Sequence, residues 1–217
     1  MSVNRHLLTP IHTSGPAPEA VGAAVILIHG RTQNPKDMLS ITDRMQLNNV
    51  PLIAIEAHEN SWYPGQFMEP INNNQPHLDH ALELIDKTIL DLEQLGVPRS
   101  RILLMGFSQG ACLACEYVYR HPARWGGLIA YTGGLIGPDT LSWVTPHLLH
   151  GTPVWLSNGD NDPWVPLPRT EQTACILARM GAWVQMRNYQ GRGHEVNDDE
   201  IILGKQLITN LMDSTKQ

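Results

Sequence analysis

Charged residues are scarce in this 217-residue sequence, at 17% of the total, and its lysines and arginines are not clustered. Nucleic-acid-binding proteins usually present a basic surface, whereas this chain has a net charge of −6, so we expect no nucleic-acid partner. Apolar residues make up 42%, which argues against disorder and suffices for one well-buried core. We therefore predict a single domain spanning residues 1–217.

Long apolar runs are also missing. No segment approaches the roughly 18 consecutive apolar residues that span a bilayer, and "MSVNRHLLTPIHTSG" lacks the apolar stretch of a secretory signal. We accordingly expect no membrane span and a cytoplasmic location. The sequence makes no prediction of the oligomeric state.

Cysteine is rare, with Cys112, Cys115 and Cys175 making an odd number that does not suggest a disulfide framework. Cys112 and Cys115 form a CxxC, but it lies in a predicted helix and has no second pair, so structural thiols are expected. His77 and His80 are three residues apart and lack a recognisable third ligand. We predict neither a metal nor a cofactor.

What the sequence does contain is an alternation of short apolar segments and longer helical patterns. Leucine and isoleucine recur at steps of three and four between Leu78 and Leu92, which predicts an amphipathic helix that begins near Pro76 and ends before Gly96. Strands that alternate with helices indicate a mostly parallel sheet covered on both faces, with ligands beyond the carboxyl ends of the strands. The predicted strands are 23–30, 50–57, 101–108, 127–133, 152–160 and 182–189, and the other helices are 109–121, 168–181 and 198–212.

The segment "GFSQG" places Ser108 between Gly106 and Gly110, where a predicted strand gives way to a predicted helix. This context is typical of a nucleophile elbow, a turn too sharp for side chains at the flanking positions. The alternative is that Ser108 merely caps the helix. We favour the elbow and predict Ser108 as a nucleophile.

A serine nucleophile needs a base and an acid, which in this topology follow it in the order acid, then histidine. His194, in "YQGRGHEVNDDE", is the one histidine downstream of the last predicted strand. Asp160 and Asp162, in "GDNDPWVP", both follow the preceding strand, and the pattern does not choose between them. Acidic residues next to His194 suit the start of the final helix better.

The oxyanion formed on attack needs backbone N–H donors. One is expected from Gln109, directly after the nucleophile. The other is expected from Arg31, which follows an early strand in "LIHGRTQ". An ordinary strand-to-helix turn is the alternative at that place.

Together, "HGR" at 29–31, "GFSQGA" at 106–111, "GDNDPWVP" at 159–166 and "GRGH" at 191–194 resemble the phospholipase/carboxylesterase family of α/β-hydrolases, which includes acyl-protein thioesterases. The resemblance covers nearly the whole chain and extends to a bacterial branch with arginine after His-Gly. It implies an α/β-hydrolase fold, and since a large lid would need an insertion for which the chain has little length to spare, we expect none. The family places its catalytic acid directly before the proline, which favours Asp162 over Asp160.

Two departures from the family pattern concern the site. Thr32 stands where relatives commonly have glycine, and since threonine rarely adopts a positive φ angle, the Arg31 amide is expected to be oriented differently. Ala111 replaces a more frequent glycine and is small enough to keep the helix close to the strand. The Arg31 side chain is expected to pair with a carboxylate, or otherwise to face an acidic substrate.

Large apolar residues in segment 58–74 and after two later strands predict the walls of a substrate pocket. We expect the segment to fold against the site, although a hydrophobic cluster without a ligand is the alternative. The predicted wall residues are Trp62, Tyr63, Phe67, Met68, Leu135, Ile136, Trp164 and Val165.

These features predict a serine hydrolase that cleaves carboxylic esters of small acyl or aryl groups through an acyl-enzyme, without a cofactor. The same triad would serve a thioesterase or a lysophospholipase. A protein of another class, which keeps the fold and only binds a small ligand, is the rival hypothesis.

Overall fold

The computed structural model describes residues 3–213, so the first two and the last four residues of the predicted domain lie outside the described part. Its sheet has seven strands in the order β1-β3-β2-β4-β5-β6-β7. Only β1 runs antiparallel to its neighbour, and the other pairs are parallel. The strands are β1 (His12–Ser14), β2 (Ala24–Ile28), β3 (Leu52–Ile55), β4 (Ile102–Phe107), β5 (Gly127–Tyr131), β6 (Pro153–Gly159) and β7 (Trp183–Tyr189).

Helices cover both faces of this sheet, as the alternation of patterns predicts. Side chains of α3, α4 and α5 pack on one face, and those of α2 and α6 pack on the other. The described residues form the helices α1 (Pro18–Val21), α2 (Pro35–Met45), α3 (His77–Gln94), α4 (Gln109–Arg120), α5 (Leu167–Arg179) and α6 (Asp198–Asp213).

The central strand β4 shows how the sequence produces this layered arrangement. Successive side chains of a strand point to opposite faces, and accordingly Ile102 and Leu104 join one core, while Leu103 and Met105 join the other. Every residue of β4 is buried. Burial of each such aliphatic side chain contributes roughly 1.5–3 kcal/mol, so the alternation fixes the strand between its two helix layers.

The six predicted strands and the four predicted helices are all present, with ends that differ by a few residues. The sequence analysis missed β1 and α1, which are only three and four residues long, and it missed α2. That helix carries its own start signal, because the Asn34 side chain accepts from a first-turn amide, the Asp37 carboxylate accepts from the Asn34 N–H, and Pro35 occupies the first turn. This is a capping box, and it could have been recognised in the sequence.

One expectation about burial was wrong. Segment 182–189 is predicted as a strand of a sheet covered on both faces, yet β7 has no buried residue and the Trp183 side chain is 72% exposed. The reason is its place in the sheet, because β7 is the last strand and pairs with β6 alone. Periodicity does not reveal which strand will lie at an edge.

No helix of the described residues is both long enough and apolar enough to cross a membrane.

Candidate active site

Ser108 lies at the turn between the end of β4 and the start of α4, with φ 54° and ψ −120°. Residues with a Cβ atom rarely adopt a positive φ, so the surroundings must hold this backbone in place. Its N–H donates to the Tyr131 carbonyl at 3.0 Å, and its own carbonyl accepts from the Cys112 N–H at 2.9 Å. The hydroxyl makes no capping hydrogen bond to α4, which removes the capping alternative and leaves the side chain available to other partners.

The two glycines around Ser108 are required by close backbone contacts. A Cβ atom at Gly106 would lie 2.4 Å from the carbonyl oxygen of Gly110, and one at Gly110 would lie 2.1 Å from that of Ile28. Both neighbours are main-chain atoms that cannot rotate away. The glycines therefore allow α4 to start directly against β4 and β2.

The alanine after the second glycine is accommodated by a third glycine. Ala111 is fully buried, and a Cβ atom at Gly133 would lie 2.5 Å from the Ala111 Cβ. Gly133 thus leaves the space that the Ala111 methyl group occupies, and the close approach of α4 to the sheet is kept, as expected.

His194 connects the serine to an acid. Its Nε2 lies 2.7 Å from the Ser108 hydroxyl oxygen, and its Nδ1 lies 2.7 Å from the Asp162 Oδ2. The Phe107 ring lies beside the imidazole, with 5.0 Å between the ring centroids. Ser108 is 86 positions and Asp162 is 32 positions from His194 in the chain, and the structure brings the three side chains together in one hydrogen-bonded line.

Asp162, rather than Asp160, contacts the histidine. Its Oδ1 accepts from the Trp164 and Val165 amides at 2.8 and 2.9 Å, which orients Oδ2 toward His194. Asp160 instead accepts a hydrogen bond from the Gly191 N–H.

The same contacts keep Asp162 ionised. Burial favours its neutral form, but the hydrogen bonds from His194 and from the two amides outweigh burial. As a result, the pKa of the Asp162 carboxyl lies below the ordinary value for an aspartate. The carboxylate can therefore orient the imidazole and balance a positive charge on it.

The loop that carries His194 is held by a buried ion pair. Arg192 donates to the Glu200 carboxylate at 2.9 Å and also to the Glu195 carbonyl. The same Glu200 oxygen accepts from the Asn197 N–H at 2.8 Å. Both charged side chains are at least 95% buried, and they tie the two ends of the histidine loop to α6. Sequence reasoning assigned no role to either residue.

The loop after β2 differs from what the sequence suggested, because Thr32 does adopt a positive φ, of 63°. Its N–H donates to the Asn60 carbonyl at 2.8 Å, and its hydroxyl donates to the Arg31 carbonyl at 2.6 Å. These bonds hold threonine in the conformation that glycine adopts readily. The expectation that Thr32 would avoid this conformation was wrong. A reoriented Arg31 amide was expected only for that reason, so the structure removes the basis for it.

Two backbone N–H groups near the serine are available to a ligand. Within residues 3–213, neither the Arg31 nor the Gln109 N–H has a hydrogen-bond partner in the protein. Both residues line the same cavity as Ser108. The preceding amide, that of Gly30, is occupied by the Gln33 side-chain oxygen at 2.9 Å, which fixes the loop.

Between residues 3 and 213 no carboxylate pairs with the Arg31 side chain, so the favoured expectation for it was wrong. Its guanidinium donates to the carbonyls of Tyr63 at 3.0 Å and Pro64 at 2.6 Å, and also to that of Gly65. Three successive carbonyls that point the same way form an acceptor set that sequence patterns do not reveal.

A cavity of about 760 Å³ opens over Ser108 and His194. Its wall includes four of the predicted pocket residues, Tyr63, Phe67, Trp164 and Val165. It also includes side chains that the sequence analysis did not assign to the pocket, and these lie in or directly after the segments it singled out: Gln33, Gln66, Phe107, Cys112 and Pro163. Adjacency to the motifs is the signal that could have identified them.

The other four predicted pocket residues lie behind the wall. Leu135 and Ile136 are fully buried, and their amides donate to the Thr173 hydroxyl and the Glu116 carboxylate. Trp62 is also fully buried, and its indole N–H donates to the His29 carbonyl at 2.7 Å. The partly buried residue Met68 packs against the same core.

Segment 58–74 is attached to the site through the first residue of α4. The Gln109 side chain accepts from the Trp62 N–H at 3.0 Å and donates to the Tyr63 carbonyl at 2.8 Å. Together with Arg31, these bonds hold the segment as a wall of the cavity, which is the arrangement that its large apolar residues predict.

The remaining sequence candidates lie away from this site or are inert. Burial raises the pKa of the Cys112 thiol to about 12 and also raises that of Cys115, so both stay protonated. Asp79, between His77 and His80, is bound by Gln75 and Arg120. In the described part of the chain, no group of three or more potential ligands is arranged to hold a metal ion.

Comparison with known proteins identifies the family of the chain. A family model described as Phospholipase/Carboxylesterase matches residues 16–210. The chain belongs to this family. The fold is the α/β-hydrolase fold, without a large lid, as the sequence analysis predicts.

Individual relatives extend over most of the chain. A phospholipase/carboxylesterase from Dyadobacter fermentans, known from a crystal structure, shares 40% sequence identity with this chain. The match has a TM-score of 0.86 and covers 92% of this chain and 95% of that one. Acyl-protein thioesterase 1 of Gibberella zeae is 26% identical, with coverage of 88% and 94%. A carboxylesterase structure from Bacillus cereus, at 18% identity, 93% coverage of both chains and a TM-score of 0.71, shares the fold. The protein is a member of a hydrolase family whose relatives are named both thioesterases and carboxylesterases.

Proposed function

We propose that the protein is a serine hydrolase that cleaves carboxylic esters of small acyl or aryl groups through an acyl-enzyme. The observation that carries the proposal is the hydrogen-bonded line from the Ser108 hydroxyl through His194 to Asp162, with 2.7 Å at each step. A serine hydroxyl is a weak nucleophile until an adjacent base removes its proton, and this arrangement supplies that base.

In the proposed reaction, the Ser108 oxygen attacks the substrate carbonyl carbon while His194 Nε2 takes the hydroxyl proton. Asp162 accepts the Nδ1–H of the ring and stabilises the imidazolium. When the tetrahedral intermediate collapses, the protonated ring gives its proton to the departing alcohol. Water then attacks the acyl-enzyme by the same route, which releases the acid and restores the hydroxyl.

We assign the Arg31 and Gln109 amides to the developing oxyanion. Neither N–H has a hydrogen-bond partner in the described part of the chain, and both residues border the cavity with Ser108. Donors fixed in advance stabilise negative charge without reorganisation, and loss of one such donor typically costs about 10²- to 10³-fold in rate. The start of α4 adds a positive helix-dipole end at the same place.

The cavity supports a small substrate. Phe67, Val165 and Trp164 offer apolar surface, but the Trp164 side chain is 68% exposed, so one side of the cavity is open to solvent. A modest acyl or aryl group could be enclosed there. A long lipid chain would extend beyond the wall, which does not favour a dedicated lipase or lysophospholipase.

Hydrolysis of p-nitrophenyl acetate tests the proposal. We expect steady turnover by the wild type and a loss of about 10³-fold or more in Ser108→Ala, because the triad acts as a unit. A folded protein that releases no nitrophenol in a Ser108-dependent manner would instead fit the rival hypothesis of a ligand-binding protein. Matched ethyl and S-ethyl esters of one acid would then separate esterase from thioesterase activity, the activity named for the Gibberella zeae relative.

A further inference from the structure

Arg31 brings a charge into the proposed active site that the triad does not use. Of the described residues that line the cavity, it alone has a side chain that is always charged at neutral pH. The chain as a whole carries a net charge of −6. The fixed group beside the proposed nucleophile is therefore positive, whereas the protein as a whole is negative.

The charge of this guanidinium is not neutralised by its partners. Among the described residues, its hydrogen bonds go to three main-chain carbonyls, of Tyr63, Pro64 and Gly65, and none goes to a carboxylate. The Glu69 carboxylate lies near Gly65 but accepts from the Gln66 N–H and the Asn73 side chain. Arg31 thus keeps a net positive charge at the cavity wall.

The same carbonyls hold the guanidinium in place and leave part of it unused. Within residues 3–213, three of its five N–H groups are engaged, which leaves Nε–H and one N–H of Nη1 for another acceptor. A guanidinium fixed in this way loses little conformational entropy when it binds an anion. Its hydrogen bonds to an oxyanion are of the stronger, charge-assisted kind.

We propose that Arg31 binds a negatively charged group of the substrate, so that the preferred substrates are esters that carry a carboxylate on the acyl or the alcohol part. This inference rests on the proposed function, since it names the substrate class of that site. The alternative is that Arg31 only positions the wall at residues 63–65, in which case charged and neutral esters depend on it equally.

Two matched pairs of esters test the proposal and locate the charge. Monoethyl glutarate and the ethyl ester of glutaramic acid differ by a carboxylate on the acyl side. 4-Acetoxybenzoate and 4-acetoxybenzamide differ by a carboxylate on the leaving group. We expect a higher kcat/KM for the charged member of at least one pair, and a drop of about 10- to 100-fold in that preference in Arg31→Met.

Variants separate charge from packing. Arg31→Lys keeps the charge but cannot reach three carbonyls, so it should retain part of the preference. Arg5→Met is the matched control, because Arg5 is an exposed arginine near His58 that lines a second cavity and not the cavity over Ser108. It should leave the ratio unchanged.

The outcomes are distinct. Equal loss of activity toward charged and neutral esters in Arg31→Met would overturn the proposal and leave a positioning role, as would a wild type that prefers the neutral member of both pairs. Absence of Ser108-dependent hydrolysis of all four esters would overturn the proposed function and this inference with it.

Discussion

The nucleophile side and the base side of the candidate site are built in different ways. Around Ser108 the backbone is confined by main-chain contacts, with no room for a Cβ atom at Gly106 or Gly110. Around His194 the loop is open, and a Cβ atom at Gly191 or Gly193 would meet nothing within 4 Å. There the position depends on side-chain partners, so the two halves should respond differently to mutation.

The largest expected effect distinguishes two acids on the base side. Asp162→Asn should lower kcat/KM for p-nitrophenyl acetate by about 10³- to 10⁴-fold, because an amide cannot stabilise the imidazolium. Asp160→Asn keeps an oxygen for the Gly191 amide and should stay within about threefold of wild type. Similar losses in both variants would remove Asp162 from its assigned role.

The next effect concerns the ion pair that holds the histidine loop. Glu200→Gln leaves Arg192 as a buried charge without its partner, and should lower the free energy of unfolding by about 3–5 kcal/mol. The half-exposed pair of Arg187 and Asp199 lies close by, so Arg187→Met is the control, with an expected change below about 1 kcal/mol. Denaturant titration measures the free energy of unfolding of both variants. Equal losses would mean that the buried pair stabilises the fold no more than the exposed pair does.

A glycine comparison tests the nucleophile side directly. Gly110→Ala places a methyl group against the Ile28 carbonyl and should destabilise the fold by about 3 kcal/mol. Gly193→Ala places the same methyl group in open space and should change stability by less than about 0.5 kcal/mol. If both variants unfold at the same denaturant concentration as the wild type, the close contact at the elbow is not a constraint.

The smallest effect is a pH dependence at Asp162. Its pKa is lowered in the folded protein, so its contribution to stability is present above the ordinary aspartate pKa of about 4 and is lost as the pH falls through the lowered value. The difference in unfolding free energy between wild type and Asp162→Asn should therefore shrink from pH 6 toward pH 3. A difference that grows on acidification would contradict the assigned direction of the shift.

The same contrast explains which parts of the structure could be predicted. The sharp turn at Ser108 was predictable because the flanking glycines and the place between a strand and a helix are local features of the sequence. The choice of Asp162 over Asp160 depended on the family pattern, since two residues in one loop differ only in their tertiary contacts. The partners of Arg31 and the roles of Arg192 and Glu200 were not predictable, because each depends on chain segments that meet only after folding.

Local rules also failed where tertiary contacts override them. Thr32 adopts a positive φ because the Asn60 carbonyl and its own hydroxyl hold it there. Leu135 and Ile136 are apolar and follow a strand, which predicts a place in the cavity wall. Both are instead buried behind it, where their amides donate to Thr173 and Glu116. Apolar character alone does not distinguish a cavity wall from the layer behind it.

The identity of the nucleophile is the claim on which the functional account depends, and covalent labelling with a fluorophosphonate measures it directly. After proteolysis, mass spectrometry should locate the adduct on Ser108, with labelling lost in Ser108→Ala and strongly slowed in His194→Ala. An adduct on another residue, or undiminished labelling of folded Ser108→Ala, would contradict the account.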